Sequence, residues 1–232
     1  MTAWRQIHDT LEREIQAGRL ADGARLPVEA ELAARFGVNR HTVRRAISAL
    51  ATRGIVSVEQ GRGTFVRQSP IHWHVDKRMR FTEMHAQANR KATRRLLRAA
   101  EVAADAAIAD ALELKPGSHC YYLETLEEVD GTPLSVASRF FPGRLVPNLI
   151  DVYIAAGTIT AALERLGIAD YQRRSTAVSA RLPSAEEAAL LLQPREQPVL
   201  VIETVNVDKA GRPIEYGIAR SAAARLKLTF DM

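Results

Sequence analysis

Cysteine is nearly absent from the 232 residues of this chain, where Cys120 is the single one. One thiol cannot form an internal disulfide framework or supply the several thiolates of the usual structural zinc site. Aromatic residues make up only 6% of the chain, and no apolar run approaches membrane-spanning length. The N-terminal residues lack the apolar core of a secretory signal, so we expect a cytoplasmic protein with no membrane partner.

Motifs of common enzyme classes are also missing. The Gly61–Gly63 segment lacks the lysine and helix that follow a phosphate-binding loop. A Gly-x-Ser-x-Gly nucleophile elbow does not occur. His72 and His74 leave a two-imidazole metal site open, although without thiolates or carboxylates nearby they are more typical of a packed linker. We therefore expect no enzyme activity, no cofactor and no metal site.

Charge is distributed unevenly along the chain. Residues 1–100 hold 19 Lys and Arg against 9 Asp and Glu, whereas residues 101–232 hold 13 against 18. A chain of this length is expected to form two domains. Because basic residues neutralise phosphates and release counterions, we expect the first half to bind nucleic acid. The mildly acidic second half is better suited to sensing a ligand or to assembly.

The segment 26–66 is the most informative part of the sequence. Apolar spacing predicts a short helix over about 29–36, Gly37 allows a left-handed turn, and Asn39 is suited to cap a second helix. The second helix places apolar residues on one arc and basic residues on the other, and a short hairpin with a glycine-rich tip follows. This order predicts a winged helix-turn-helix, which places a cationic helix in a DNA groove.

The same segment resembles the N-terminal domain of the GntR family of bacterial repressors. The resemblance is carried by Leu26-Pro27, Glu31-Leu32-Ala33, Phe36-Gly37-Val38, Arg40-His41-Thr42-Val43-Arg44 and Gly61-Arg62-Gly63-Thr64-Phe65-Val66. The implied DNA contacts come from Asn39, Arg40, His41, Thr42, Arg44 and neighbouring Arg45 in the major groove, and from Gly61, Arg62 and Gly63 at the wing tip. Many members place an arginine just before the first short helix. This chain has Ala30 there, which implies an altered half-site preference.

The second half of the sequence predicts an α+β domain. Residues 1–68 form the predicted DNA-binding domain, residues 69–79 a linker without periodicity, and residues 80–232 the second domain. Two hairpins are predicted, at Asp130-Gly131 and at Lys209-Ala210-Gly211. Strands are predicted at 94–102, 119–129, 134–141, 173–182, 199–207, 212–219 and 226–230, and helices at 103–114, 158–166 and 184–192. Hairpins with scattered helices favour an antiparallel sheet with helices packed on it.

This second domain resembles the effector (UTRA) domain of the HutC branch of the GntR family, which has a chorismate-lyase-like fold. The resemblance is carried by Arg80-Phe81-Thr82-Glu83, Ala111–Gly117, Asp130–Leu134, Pro183–Glu187 and Gly211–Tyr216. It implies a small-molecule effector and a homodimer, and two recognition helices in a dimer imply a palindromic double-stranded DNA operator. Within the branch, Val38–Ile47, Arg80-Phe81, Arg173–Ser175 and Val178–Ala180 are most similar to regulators of phosphonate metabolism of the PhnF type.

The resemblance also implies an effector site at one edge of the sheet. Its expected residues are Arg80, Phe81, Thr82, Thr125, Glu127, Arg139, Thr158, Arg174 and Glu215. Sugar-phosphate sensors of this branch have two arginines where this chain has Thr125 and Glu127, and a carboxylate repels phosphate unless another cation intervenes. The hydroxyl of Thr158 at a helix N-terminus suits an anion. Glu127 and Glu215 suit an ammonium group, so we expect an alkyl- or aminoalkylphosphonate effector.

Together these patterns predict a ligand-responsive, dimeric transcriptional repressor of a catabolic or uptake operon, with phosphonate utilisation as one interpretation. A sensor of a sugar phosphate or a histidine catabolite is the alternative within the same branch. An enzyme related to chorismate lyase should show inward arginines for two carboxylates. This chain instead has Thr125 and Glu127 at the strand positions where relatives have arginines. An architectural DNA-binding protein does not need a long acidic second domain. Both of these alternatives are therefore disfavoured.

Overall fold

The chain folds into two units. The computed structural model describes residues 2–21, 23–59, 61–66, 70–74 and 92–230, with only the backbone at 16, 72 and 74. The first unit is Met1–Ser69 and the second is Pro70–Met232. Arg80, Phe81 and Thr82, which were predicted to bind effector, lie outside the described residues.

The first unit is a three-helix domain followed by a two-stranded antiparallel hairpin. Its elements are α1 (Ala3–Gln16), α2 (Glu29–Phe36), α3 (Arg40–Thr52), β1 (Val56–Glu59) and β2 (Gly63–Val66). One apolar cluster holds them together, formed by Ile7, Leu11, Leu26, Leu32, Val43, Ala46, Ile47, Leu50, Val56 and Val66. Gly37 ends α2 with φ of +63°, the left-handed conformation that a residue without Cβ adopts at little cost. The predicted winged helix-turn-helix is confirmed.

The second unit is built on a six-stranded antiparallel sheet with the order β4-β5-β6-β9-β8-β7. Its strands are β3 (Ile71–His74), β4 (Ala92–Ala103), β5 (His119–Val129), β6 (Thr132–Pro142), β7 (Tyr171–Arg181), β8 (Val199–Asp208), β9 (Pro213–Ala222) and β10 (Leu226–Thr229). Its helices are α4 (Ala106–Leu112), α5 (Leu149–Ala156), α6 (Ile159–Arg165) and α7 (Ala185–Leu190). The predicted α+β class is confirmed.

The predicted hairpins connect β5 to β6 and β8 to β9. Asp130 and Gly131 both have positive φ, +50° and +76°, as expected where a two-residue turn matches the twist of the strands. In the part of the chain that the structure describes, no helix combines the length and apolar character needed to cross a membrane.

The two faces of the sheet are covered by different helices. Tyr121 and Leu123, which are two residues apart on β5 and point to the same side of the sheet, pack against α5 and α6. We call this side of the sheet the α5–α6 face. Cys120 points to the opposite side, where it is buried against Ile108 and Leu112 of α4. Burial raises the pKa of the Cys120 thiol, so this cysteine is a protonated core residue at neutral pH.

Two elements of the second unit differ from the sequence prediction. Residues 71–74, predicted to be linker, form β3, which pairs in parallel with β10. Ile71 and Trp73 pack against the apolar cluster formed by Val129, Leu134, Ile202 and Leu226. Helix α5 was not predicted at all. The partner strand lies 155 residues later in the chain and leaves no local signal, which explains why β3 was missed.

Candidate DNA and effector sites

Helix α3 presents its basic residues on an exposed arc. Val43, Ala46, Ile47 and Leu50 are buried, whereas Arg40, His41, Arg44 and Arg45 are exposed. The structure therefore brings the predicted major-groove residues of α3 together on one surface. The guanidinium of Arg45 also lies 4.8 Å from the ring centroid of Trp4 in α1, a cation–π distance.

Asn39 caps α3, as predicted. Its Oδ1 accepts hydrogen bonds from the backbone N–H of Thr42 at 2.9 Å and from the Thr42 hydroxyl at 2.9 Å. This oxygen satisfies a backbone donor that the first helical turn leaves unpaired. The two residues thus stabilise the start of the helix, and their polar atoms are already oriented by one another.

Arg44 is held by a carboxylate from the preceding helix. Its Nε and Nη2 donate to Oε1 and Oε2 of Glu29 at 2.9 and 2.7 Å. Hydrogen bonding to Arg44 lowers the pKa of Glu29 and, reciprocally, raises the pKa of Arg44. Ala30 follows Glu29 in the first turn of α2, so it lies within that helix and not before it as predicted.

The wing tip has the backbone that its glycines imply. Gly61 and Gly63 have φ of +74° and +122°. A Cβ on Gly63 would lie 2.7 Å from Nε of Arg25, so a larger residue would displace that side chain. Arg62 is exposed and pairs with Oε2 of Glu59 at 2.6 Å. Residue 60 of this turn lies outside the described residues.

In the second unit, Glu127 lies between two arginines on neighbouring strands. Its Oε1 accepts from Nη2 of Arg94 on β4 at 2.9 Å and from Nη2 of Arg139 on β6 at 2.6 Å. The carboxylate is 3% exposed. Burial by itself raises the pKa of Glu127, but the two guanidinium groups outweigh burial and hold the pKa below its ordinary value.

Arg139 extends this network to β9 and β8. Its Nη1 donates to Oγ1 of Thr125 at 2.8 Å, and its Nε lies 3.2 Å from Oε1 of Glu215. Oε2 of Glu215 accepts from Asn206 at 2.7 Å. Burial opposes the charge of Arg139, but Glu127 and Glu215 raise its pKa above the ordinary value. We call Arg94, Thr125, Glu127, Arg139, Asn206 and Glu215 the central network.

The central network contains two positive and two negative side chains, so its formal charge is zero. It crosses five of the six strands of the sheet, from the edge strand β4 through β5, β6 and β9 to β8. The resemblance had implied a site confined to one edge. Tyr121, Leu123, Thr125 and Glu127 are spaced two residues apart along β5, so their side chains share one side of the sheet. This places the network on the α5–α6 face. The structure brings Thr125, Glu127, Arg139 and Glu215 together as predicted.

Arg174 requires a correction. It pairs with Glu113 and lies 3.4 Å from the carbonyl oxygen of Ala111, at the end of α4 and therefore on the face opposite the central network. The register of β7 shifts between Arg173 and Ser175, and this bulge reverses the side to which Arg174 points. Arg173 is instead opposite Asn206, on the face of the network, with its guanidinium 5.6 Å from the Trp73 ring centroid.

Thr158 is the N-cap of α6, and its hydroxyl accepts from the backbone N–H of Ala161 at 3.2 Å. Among the described contacts it does not join the central network. Sequence reasoning missed Arg94 and Asn206. Arg94 was within a predicted strand, but only the strand register shows that it lies opposite Glu127.

Comparison with known proteins identifies the class. The family described as "Bacterial regulatory proteins, gntR family" matches residues 4–66, and the UTRA domain matches residues 87–227. The chain therefore belongs to the GntR family and carries a UTRA domain. Since its relatives are transcriptional regulators, it is a transcriptional regulator of this type and not an enzyme. GntR regulators of this type bind DNA and, through the UTRA domain, small-molecule effectors.

Individual relatives match along nearly the whole chain. An uncharacterized HTH-type transcriptional regulator of Rhizobium meliloti, RB1450, is 39% identical over 98% of this chain and 94% of the relative. The probable transcriptional regulator PhnF of Escherichia coli is 31% identical over 99% of this chain and 95% of the relative. The crystal structure of PhnF from Mycobacterium smegmatis superposes with a TM-score of 0.69 at 26% identity, covering 97% of this chain and 98% of that one.

Proposed function

We propose that this chain is a dimeric repressor that releases its operator when the UTRA domain binds a phosphonate, most favourably an aminoalkylphosphonate. Arg40 and Arg44 read bases in the major groove, and Arg62 contacts phosphates from the wing. The exposed basic arc of α3 supports this assignment, since a buried apolar arc leaves the opposite side available to DNA. A palindromic operator follows from two copies of the helix in the dimer.

The observation that carries the effector proposal is the buried, charge-neutral network on the α5–α6 face. Two arginines there already have carboxylate partners, since Arg94 pairs with Glu127 and Arg139 pairs with both Glu127 and Glu215. A ligand with two or more negative charges would compete with both carboxylates for these guanidinium groups. A zwitterion matches better, because its ammonium group can interact with a carboxylate while its anionic group interacts with an arginine.

Arg174 was expected among the effector residues, and we propose Arg173 in its place, as the partner of the anionic group. Arg173 lies across from Asn206, whose amide binds Glu215, so it places a guanidinium beside the central network. We therefore assign to Arg173 the anionic group of a ligand whose ammonium group interacts with Glu127 or Glu215.

Repression would then be relieved by population shift. A ligand that binds one arrangement of the dimer more tightly shifts the equilibrium toward that arrangement. The same coupling free energy lowers operator affinity and, reciprocally, lets operator DNA weaken ligand binding. The comparison with PhnF relatives and the resemblance to phosphonate regulators support the pathway.

The ligand is tested by thermal shift and by operator release. Operator sites are first selected from a random duplex library with the full-length protein. 2-Aminoethylphosphonate, methylphosphonate, inorganic phosphate, a hexose 6-phosphate and urocanate are then compared, because binding to the folded state raises the melting midpoint. We expect the largest shift and DNA release with 2-aminoethylphosphonate. The effector proposal fails if the hexose phosphate or urocanate binds best.

Two variants separate the site from general effects. Arg173→Gln should abolish the shift given by the phosphonates, whereas Arg174→Gln, on the opposite face, should retain it. Light scattering of the full chain should give a dimer at micromolar concentration, with or without ligand. A monomer that binds the selected palindrome with unchanged affinity would contradict the proposed assembly.

A further inference from the structure

The ion pair between Glu29 and Arg44 engages only one side of the guanidinium group. A guanidinium has two edges that donate paired hydrogen bonds, one formed by Nε and Nη2 and the other by Nη1 and Nη2. Glu29 accepts from Nε and Nη2 with its two oxygens. Among the described residues, no hydrogen bond involves Nη1 of Arg44, and the side chain is 61% exposed.

The carboxylate is fixed by the core of the first unit. Glu29 begins α2, where a negative charge is favoured by the helix dipole. Leu32 of α2 and Val43 of α3 are fully buried in the same cluster, so the two helices keep a constant separation. A carboxylate on one helix that binds an arginine on the other therefore limits the rotamers of that arginine.

The free edge has the geometry that guanine recognition requires. Arginine specifies guanine by donating two parallel hydrogen bonds to O6 and N7. An arginine restrained in advance loses less conformational entropy on binding, and Glu29 also cancels its attraction to phosphates at other positions. Both effects increase the preference for a correct base more than the overall attraction to DNA.

We propose that Glu29 is a positioning residue for DNA recognition: it orients Arg44 so that the Nη1–Nη2 edge meets a guanine, and it raises selectivity at the expense of general affinity. This inference rests on the proposed major-groove role of Arg44.

The test compares base discrimination among full-length variants. A half-site guanine is identified by selection from a random duplex library, as the position whose preference Arg44→Ala loses. Dissociation constants at fixed salt are then measured by fluorescence anisotropy for the selected site, for the site with that guanine replaced, and for random duplex. We expect Glu29→Ala to reduce discrimination at this position at least fivefold, while affinity for random duplex stays equal or rises.

Matched variants isolate the effect. Glu59→Ala removes the carboxylate that pairs with Arg62 at the wing, and it should change affinity for all three duplexes alike. In the double variant Glu29→Ala with Arg44→Ala, the loss of discrimination should equal that of Arg44→Ala alone, because Glu29 acts through Arg44. Unchanged melting midpoints show that the variants remain folded.

The outcomes distinguish this inference from the proposed function. If Arg44→Ala keeps every base preference, the major-groove role of Arg44 is wrong and the inference falls with it. If Arg44→Ala loses a guanine preference that Glu29→Ala retains, only the positioning role is wrong. If Glu29→Ala strengthens binding to the selected site more than to random duplex, Glu29 is an inhibitory clamp, and the inference is overturned.

Discussion

Both units of this protein contain bidentate or shared arginine–glutamate pairs, but the pairs differ in their exposure to water. In the first unit, the side chains of Arg44 and Glu29 are 61% and 33% exposed. In the second unit, those of Arg139 and Glu127 are 13% and 5% exposed. Water screens the first pair, so its loss should change the free energy of unfolding little. A buried charge that loses its partner is strongly destabilising.

This difference fits the task of each unit. A DNA-binding arginine must be able to interact with a base or phosphate while its protein partner stays near, so an exposed pair is suitable. The central network, at the proposed effector site, instead fixes the charge and shape of the α5–α6 face. The same two residue types therefore give an adaptable surface in one unit and a permanent feature of the fold in the other.

The largest effect on stability is expected when the buried pair is broken. Glu127→Gln leaves Arg94 and Arg139 without their shared carboxylate, so we expect the free energy of unfolding of the second unit to fall by about 3 kcal/mol. Glu29→Gln should leave the stability of the first unit nearly unchanged, because exposed pairs contribute little.

Urea unfolding followed by tryptophan fluorescence measures both. The chain has two tryptophans, Trp4 in the first unit and Trp73 in the second. A Trp4→Phe background therefore reports on the second unit and a Trp73→Phe background on the first. Equal losses in the two units would refute the distinction between exposed and buried pairs.

The next effect concerns base recognition by the exposed pair. Arg44→Ala should weaken binding to a selected operator by about ten- to a hundredfold, since a bidentate arginine–guanine contact contributes that much discrimination. Anisotropy titrations at fixed salt, with random duplex as reference, measure it. A proportional loss on random duplex would show that Arg44 acts only through phosphates.

An intermediate case is Glu187 on α7, which pairs with Arg181 at 2.6 Å and lies 3.3 Å from Nε of Arg220. Its bonds to Arg181, aided by the backbone N–H of Ser184 and by Arg220, outweigh burial and lower the pKa of Glu187 from 4.5 to about 2. Because the folded pKa is the lower one, the stabilisation is complete above about pH 5 and is lost as the pH falls toward 2.

We expect this part of the pH dependence to amount to about 1 kcal/mol, since Arg181 is partly exposed and solvent screens the pair. Unfolding free energies of the second unit between pH 6 and pH 3 measure it. Glu187→Gln should flatten the curve by that amount, and a curve that keeps its full slope in the variant would contradict the assignment.

The smallest effect is expected at the wing. Arg62→Ala should weaken binding to all duplexes alike and reduce the slope of log affinity against log salt by about one, because one phosphate contact is lost. Binding measured from low to moderate salt checks this. A loss confined to the selected operator would mean that Arg62 reads bases.

Local patterns predicted the elements that depend on local interactions. Gly37 and Asn39 gave the turn and the cap, and Asp130-Gly131 gave the hairpin, because each position needs a backbone conformation or a hydrogen bond to a residue nearby. The helix predicted at 184–192 begins with a capping box, in which Ser184 and Glu187 each accept from the other's backbone N–H. The strand predicted at 119–129 has the bounds of β5, His119–Val129.

Features that depend on distant residues were missed or misplaced. β3 needed its partner β10. Arg174, which was expected at the effector site, lies on the face opposite the central network because of a one-residue bulge that leaves no clear mark in the sequence. Arg94 and Asn206 were not recognised as partners of Glu127 and Glu215, since cross-strand neighbours are set by register.

The sequence by itself determined the class of this protein: a basic winged helix-turn-helix followed by an effector domain, since turns, caps and apolar periods act over a few residues. Only the tertiary structure decided how its charges are used. Glu127, which alone would repel a phosphate, is neutralised by arginines from two neighbouring strands, and Arg44 is restrained by Glu29, fifteen residues earlier. Electrostatic interactions depend on distance and burial in space, and the fold sets both.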